Sequence, residues 1–216
     1  MKRYTLLRNF IKLLHTNDIC IFSGEEMCKE AYQYDRPGNF YIKDFFGLSL
    51  SFALGVAVGT DKRVFVFVGE GDILREMSAV TQLAVSYCKN LFLVVLDNGC
   101  YQSEGKHPNI FNSIVSKKGF FYNFGFLVQD YVKHFTNREF KQLRNILNNL
   151  IGPVCIYMEI DNGVKRGLKN VDLSAIEMKN RFEKFVLNED LSTSLFESTT
   201  TGQVLNLDEI STGGNK

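Results

Sequence analysis

The stretch VFVFVGEGDILREM, residues 64–77, decides how the chain is read. Residues 64–68 are an unbroken β-branched and aromatic run, which stops at Gly69-Glu70-Gly71-Asp72 before a helix-like pattern starts near Ile73. A strand with no polar alternation is covered on both faces, as in a parallel sheet between helices. The glycines let the backbone turn sharply and bring its N–H groups close to whatever lies there. A helix opening at once favours an anion. Taken alone, a tight turn is the simpler explanation. No Gly-Lys-Ser/Thr follows, and Leu74 stands where a dinucleotide fingerprint needs a third glycine.

Outward from this stretch, strand signals recur at Ile19–Phe22, Arg63–Val68, Leu91–Leu96 and Val154–Ile160. Helical patterns fall at roughly 24–33, 48–58, 73–88 and 137–150. The alternation predicts an α/β fold, a mostly parallel central sheet with helices on both faces. At the N-terminus, Leu6, Leu7, Phe10, Ile11 and Leu14 follow helical spacing. Arg8, Asn9 and Lys12 interrupt the run, which reads as an amphipathic helix rather than a signal peptide. Pro37, Pro108 and Pro153 fall where elements end or loops run. One domain is expected over residues 1–187. The Ser-, Thr-, Asn- and Gly-rich tail, 188–216, reads as loosely ordered or partner-docking.

The 216 residues carry a formal net charge of +1 and 45% hydrophobic content, which fits a domain with a full core. Near-neutrality leaves no electrostatic footprint for nucleic acid. No apolar run approaches the roughly 18 residues of a membrane span. Five cysteines without a C-x-x-C pair suggest a reducing, cytoplasmic setting, with Cys20, Cys88 and Cys155 as buried small hydrophobes.

In open α/β sheets ligands bind beyond the carboxyl ends of the strands. Two more loops therefore matter. VVLDNGCYQSEGKHP, 94–108, runs a strand into Asp97-Asn98-Gly99. Asn98 lies one strand–helix–strand unit after Glu70, so the two loops are expected side by side. A carboxylate and an amide oxygen would then converge beside phosphate-binding N–H groups, a set suited to Mg²⁺ and a diphosphate. DFFGLSLSFALGVAVG, 44–59, has small residues at helical spacing, and Phe46-Gly47 at its start offers a place for a ligand ring.

In this order the three loops resemble the diphosphate-binding domain of thiamine-diphosphate enzymes, and most narrowly the phosphonopyruvate and sulfopyruvate decarboxylases. DFFGLSLSFALG is similar to that family's Gly-x-Met-Gly-x-x-x-Ser-x-Ala-Leu-Gly segment. VLDNGCYQSEG is similar to its Val-Leu-Asp-Asn-x-x-Tyr-x-Ser-x-Gly loop, and GVKRGLKNVDLSAIEMKNRFEKF, 163–185, to a stretch near its end. The resemblance covers about residues 4–187. It implies Mg²⁺ on Glu70, Asn98 and the Cys100 carbonyl. It implies thiamine diphosphate held by Ser23, Gly24, Phe46, Gly47, Gly69, Gly71, Asp72, Ile73, Asn98 and Tyr101.

The implied reaction is decarboxylation of a 2-oxo acid such as phosphonopyruvate or sulfopyruvate. Carboligation, or a non-catalytic regulatory subunit, is the alternative. Tyr101 and His107 are candidate catalytic groups, and Lys165 and Arg166 candidate contacts for a phosphonate or sulfonate. In the family a second domain supplies the glutamate that activates the cofactor's pyrimidine. The chain is too short to hold both domains, which implies a pyrimidine-binding partner subunit and a hetero-oligomer. The departures are charged: Glu70 stands for the usual Asp, Asp72 for a Ser, and Glu25 for a Lys. Phe46 replaces a Met.

Overall fold

The computed structural model describes residues 1–44, 47–113, 116–131 and 137–188. In chain order the helices are α1 (Arg3–Ile11), α2 (Glu25–Tyr32), α3 (Ser49–Val58), α4 (Glu70–Arg75), α5 (Met77–Val85), α6 (Lys117–Asn123), α7 (Asn137–Asn149) and α8 (Ala175–Leu187). The strands are β1 (Ile19–Ser23), β2 (Asn39–Ile42), β3 (Val64–Gly69), β4 (Leu91–Asp97), β5 (Cys100–Tyr101), β6 (His107–Pro108), β7 (Leu127–Tyr131) and β8 (Val154–Glu159). Six strands form one sheet in the order β2-β1-β3-β4-β8-β7, every pair parallel. The short β5 and β6 pair antiparallel as a separate ribbon.

Period-two side-chain alternation divides the buried strands between two cores. Phe22, Phe65, Phe67, Phe92, Val94 and Ile156 face α1, α2 and α7. Ile21, Val64, Val66, Val68, Leu93 and Tyr157 face α3, α5 and α8. Aromatic rings run across the first face, Phe65 on Phe92 at 4.6 Å and Phe22 on Phe67 at 4.8 Å between centroids. Such offset pairs add to the apolar area they bury. The N-terminal helix is present, with Leu6, Leu7, Phe10 and Ile11 buried. At the far end Ser174 and Glu177 form a reciprocal cap that starts α8.

The chain steps from β1 outward to β2 and then crosses to β3 on β1's other side. The connections therefore part beyond the ends of β1 and β3, opening a crevice there. The four expected strands and the helices near 24–33, 48–58 and 137–150 are present within a residue or two. β2, β7 and α6 are additional.

One helix differs. The span expected over 73–88 starts three residues earlier, at Glu70, and is broken at Glu76. Glu76 turns inward, and its buried carboxylate accepts the Ser49 N–H at 3.2 Å, the Ser49 hydroxyl at 2.7 Å and the Leu50 N–H at 2.8 Å. It thereby satisfies the open N-terminus of α3, and three accepted hydrogen bonds outweigh one continuous turn of helix. Cys20, Cys28, Cys100 and Cys155 are buried and outside any disulfide, whereas Cys88 is half-buried in the loop that follows α5. The tail beyond 188 and Phe46 lie outside the described residues.

Candidate active site

A cleft of about 510 Å³ opens at the crevice. Ser23 and Gly24 reach it from β1, Gly69 to Asp72 from β3, and Asn98, Cys100 and Tyr101 from the segment after β4. The register places Gly69 beside Leu96, so the two loops leave the sheet as neighbours.

Glu70 is 2% exposed. Its Oε2 accepts the Asn98 N–H at 3.3 Å and its Oε1 accepts the Asn109 side-chain amide at 2.6 Å. Burial, with nearby Asp97, pushes its carboxyl up to about 7. Asn98 Oδ1 accepts the Cys100 N–H at 3.0 Å, a local turn that leaves the oxygen a second lone pair. Asp97 braces this segment. It accepts the Gly99 N–H at 2.7 Å and pairs with Lys117 at 2.5 Å, and the Tyr157 hydroxyl donates to it as well.

Asp72 is buried at the lip of the cleft. Its Oδ2 accepts the Gly69 N–H at 3.4 Å, which caps α4 from within and explains the early helix start. Arg75 lies 3.8 Å from its other oxygen. Burial raises its pKa, against the pull of Ser23, Gly69 and Arg75. The Ser23 hydroxyl favours the charged carboxylate, yet it is buried without a hydrogen bond of normal geometry. Tyr101 packs closely on the loop, so that a Cβ on Gly71 would come within 2.8 Å of its ring, and the Arg75 guanidinium sits 5.2 Å from the ring centre.

Five carboxylates line the cleft: Glu25, Glu26, Asp44, Glu70 and Asp72. Among the described residues only Arg3, Lys43 and Arg75 oppose them. Arg3 is itself buried. Its Nε donates to Glu30 at 2.7 Å, while Nη2 meets no hydrogen-bond partner. Among the described residues no group of three or more His, Cys, Asp or Glu side chains is arranged to hold a metal. A hard-oxygen set of one carboxylate, one amide and one backbone carbonyl remains, and it suits Mg²⁺.

Residues 26–158 match the family described as "Thiamine pyrophosphate enzyme, C-terminal TPP binding domain". The chain belongs to this family. Thiamine pyrophosphate is thiamine diphosphate under its other name. Among curated relatives, the TPP-binding domain is 42% identical over 117 residues to the sulfopyruvate decarboxylase of Methanosarcina acetivorans, covering 48% of this chain and 30% of that one. It is 26% identical over 183 residues to the sulfopyruvate decarboxylase subunit beta of Methanocaldococcus jannaschii, covering 84% and 95%. Against the phosphonopyruvate decarboxylase of Streptomyces viridochromogenes it is 26% identical over 196 residues, covering 89% and 48%. The chain thus spans less than half of the first and third relatives and nearly all of the second. The crystal structure of benzoylformate decarboxylase from Polynucleobacter necessarius superposes with a TM-score of 0.61 at 12% identity, over 75% of this chain and 33% of that one, and establishes the shared fold.

Not every candidate residue of the TPP-binding domain reaches the cleft. Ile73 falls on the inner side of α4 and is fully buried in the core. Gly47 makes the turn into α3 at φ +91°, held beside Glu76 instead of lining the cleft. His107 pairs with Tyr101 across the β5–β6 ribbon and is exposed, because the ribbon folds outward through the left-handed Gly105 and Lys106. Lys165 and Arg166 are exposed and do not line the cleft, and the Lys165 ammonium instead sits 6.0 Å from the Tyr4 ring centre. Arg3, Lys43, Arg75, Asp97 and Asn109 were not singled out from the sequence. Asp97 and Asn109 stood within or beside the quoted loop, but nothing in their spacing marked them. Arg3 is brought in by the docking of α1, which no local pattern encodes.

Proposed function

We propose that this chain is the cofactor-diphosphate half of a thiamine-diphosphate-dependent 2-oxo acid decarboxylase that works with a partner chain. The observation that carries the reading is the convergence of residues 23–24, 69–72, 98 and 100–101 on one cleft in a chain of this family. The relative named subunit beta, matched over 95% of its length, supports the split arrangement. The residues fit the group. Glu70, Asn98 and the Cys100 carbonyl would hold Mg²⁺, and the Gly69–Gly71 turn and the unpartnered Ser23 hydroxyl would meet the diphosphate. With five carboxylates to three cations at the cleft, a bare diphosphate is repelled and binding depends strictly on Mg²⁺. When bound, the thiazolium ring supplies the electron sink for decarboxylation.

The chain's own residues bind and orient. Buried Glu70 and the braced Asn98 segment fix the metal end of the cofactor. Tyr101 covers Gly71 and closes that side to water. Arg3, which lines the cleft, would offer its guanidinium to the second anionic group of a sulfo- or phosphono-substituted 2-oxo acid. The activating glutamate comes from the partner. The exposed side of α3, with Ser51, Gly55 and Val58, is its docking face.

The test is reconstitution with the partner chain, followed by calorimetric titration with thiamine diphosphate in Mg²⁺ and in chelator. CO₂ release from sulfopyruvate and from phosphonopyruvate is measured alongside. Heat only with Mg²⁺, and turnover only with both chains, is expected. The charge imbalance favours a second reading, a non-catalytic subunit. No binding heat with a folded, bound partner would establish it in place of the first.

A further inference from the structure

Glu70 is held by a residue that does not line the cleft. Asn109 follows β6 directly and opens the short 3₁₀ turn Ile110–Ser113. It is 4% exposed, and its Nδ2 donates to Glu70 Oε1 at 2.6 Å. The acceptor fixes which way the amide faces, and its Oδ1 is left buried without a partner. A buried amide oxygen with no donor is costly, and an apolar side chain of similar size would avoid that cost. The arrangement makes sense where the donated hydrogen bond goes to a charge, since such bonds are about twice as strong as neutral ones.

The two oxygens of Glu70 are unequal. Oε1 has the short bond to Asn109, and Oε2 the longer 3.3 Å contact with the Asn98 N–H. Oε2, held by the longer contact, is therefore the oxygen that can turn to a cation. The longer reach of glutamate, against an aspartate in the same place, is what allows Oε1 to meet Asn109 at all. The β5–β6 ribbon is consequently fastened to the start of α4 at two points, Tyr101 on Gly71 and Asn109 on Glu70.

We propose that Asn109 is a positioning residue that clamps Glu70 Oε1 and presents Oε2 as the single carboxylate oxygen to a divalent cation. This inference rests on the Mg²⁺ site of the proposed function. Residues behind a metal ligand commonly change metal affinity by about 10–100-fold when removed.

The test uses the full-length chain with its partner and thiamine diphosphate, and Mn²⁺ detected by electron paramagnetic resonance. Asn109→Ala is expected to weaken Mn²⁺ about tenfold, and Asn109→Ser, which keeps a short donor, less than that. In a Glu70→Asp background, where the carboxylate no longer reaches, Asn109→Ala should change the affinity by less than about twofold. A merely structural Asn109 predicts a lowered melting temperature with unchanged Mn²⁺ half-saturation. That result, or an equal effect of Asn109→Ala in both backgrounds, overturns the clamp. If Asn109→Ala fails to fold, Asn109→Ser decides: wild-type affinity with a lowered melting temperature overturns the clamp, and a measurable loss of affinity supports it. Failure of the unmodified complex to bind Mn²⁺ at all overturns the metal site itself and this inference with it.

Discussion

Replacing Glu70 with glutamine is expected to stabilise the ligand-free domain at about pH 8, although Glu70 is the carboxylate proposed above to bind the metal. Burial and the neighbouring Asp97 hold the Glu70 carboxyl at about 7 in the fold, against 4.5 for an ordinary glutamate. A carboxyl raised by folding takes up a proton as the chain folds between those two values. Its penalty is absent below 4.5, grows as the pH rises, and is fully present above 7. The gap corresponds to roughly 3 kcal/mol. Glutamine carries no charge, but its NH₂ faces one of the two donors that Glu70 accepts, from Asn98 or Asn109. Losing that bond costs about 1 kcal/mol. The net gain is about 2 kcal/mol at high pH, or roughly 4–8 °C in melting temperature for a chain of this size. Near pH 4.5 only the lost bond remains, and the variant is less stable by about 1 kcal/mol. Thermal unfolding by circular dichroism in chelator, across this range, measures the difference. Buried Asp72 and Glu76 also have raised pKa values, but they titrate in both proteins and cancel. A difference that stays constant with pH would refute the reasoning. Adding Mg²⁺ with thiamine diphosphate should reverse the order at high pH, because only the parent protein gains from the metal.

Asp72→Ser removes a buried negative charge from the lip of the cleft, and Mg²⁺-dependent affinity for thiamine diphosphate should rise about tenfold. Unchanged affinity in calorimetry would show that the Gly69 N–H and Arg75 already neutralise it. Gly55→Arg places a cation where an added Cβ meets nothing within 4 Å, so the isolated chain should melt no lower than before. Co-elution with the partner on size exclusion should nonetheless be lost, and an intact complex would move the docking face away from α3.

The fold was legible because its two central strands carry unbroken apolar runs. Val64–Val68 and Leu91–Leu96 have only one environment open to them, a sheet covered on both faces, and the helices between them follow. β2 and β7 were not legible. Asn39–Ile42 is a four-residue edge strand with polar neighbours, and Leu127–Tyr131 lies on the opposite edge with Gln129 and Asp130 in it, so neither shows the apolar run that marked the centre. The break at Glu76 was hidden for another reason. A glutamate in a helical pattern reads as a solvated face, and only the docking of α3 gives its carboxylate three donors to meet. The loops at the cleft were legible through glycine placement and strand order. The second layer behind them, Asn109 on Glu70 and Asp97 on the Gly99 turn, depends on how the chain folds back after β4. Sequence spacing does not record that return.

The Glu76 anchor bears on how freely such a domain can be recombined. The segment 44–59 looks like a portable cassette, a turn followed by one helix, which related chains could exchange whole. Its helix start, however, is completed by a side chain 26 and 27 residues further on, between α4 and α5. The cassette and the loop at Gly69–Asp72 are thereby parts of one heritable unit. A chimera that imports residues 44–59 without a carboxylate at position 76 receives a helix with its first N–H groups open and a buried gap where the anchor stood.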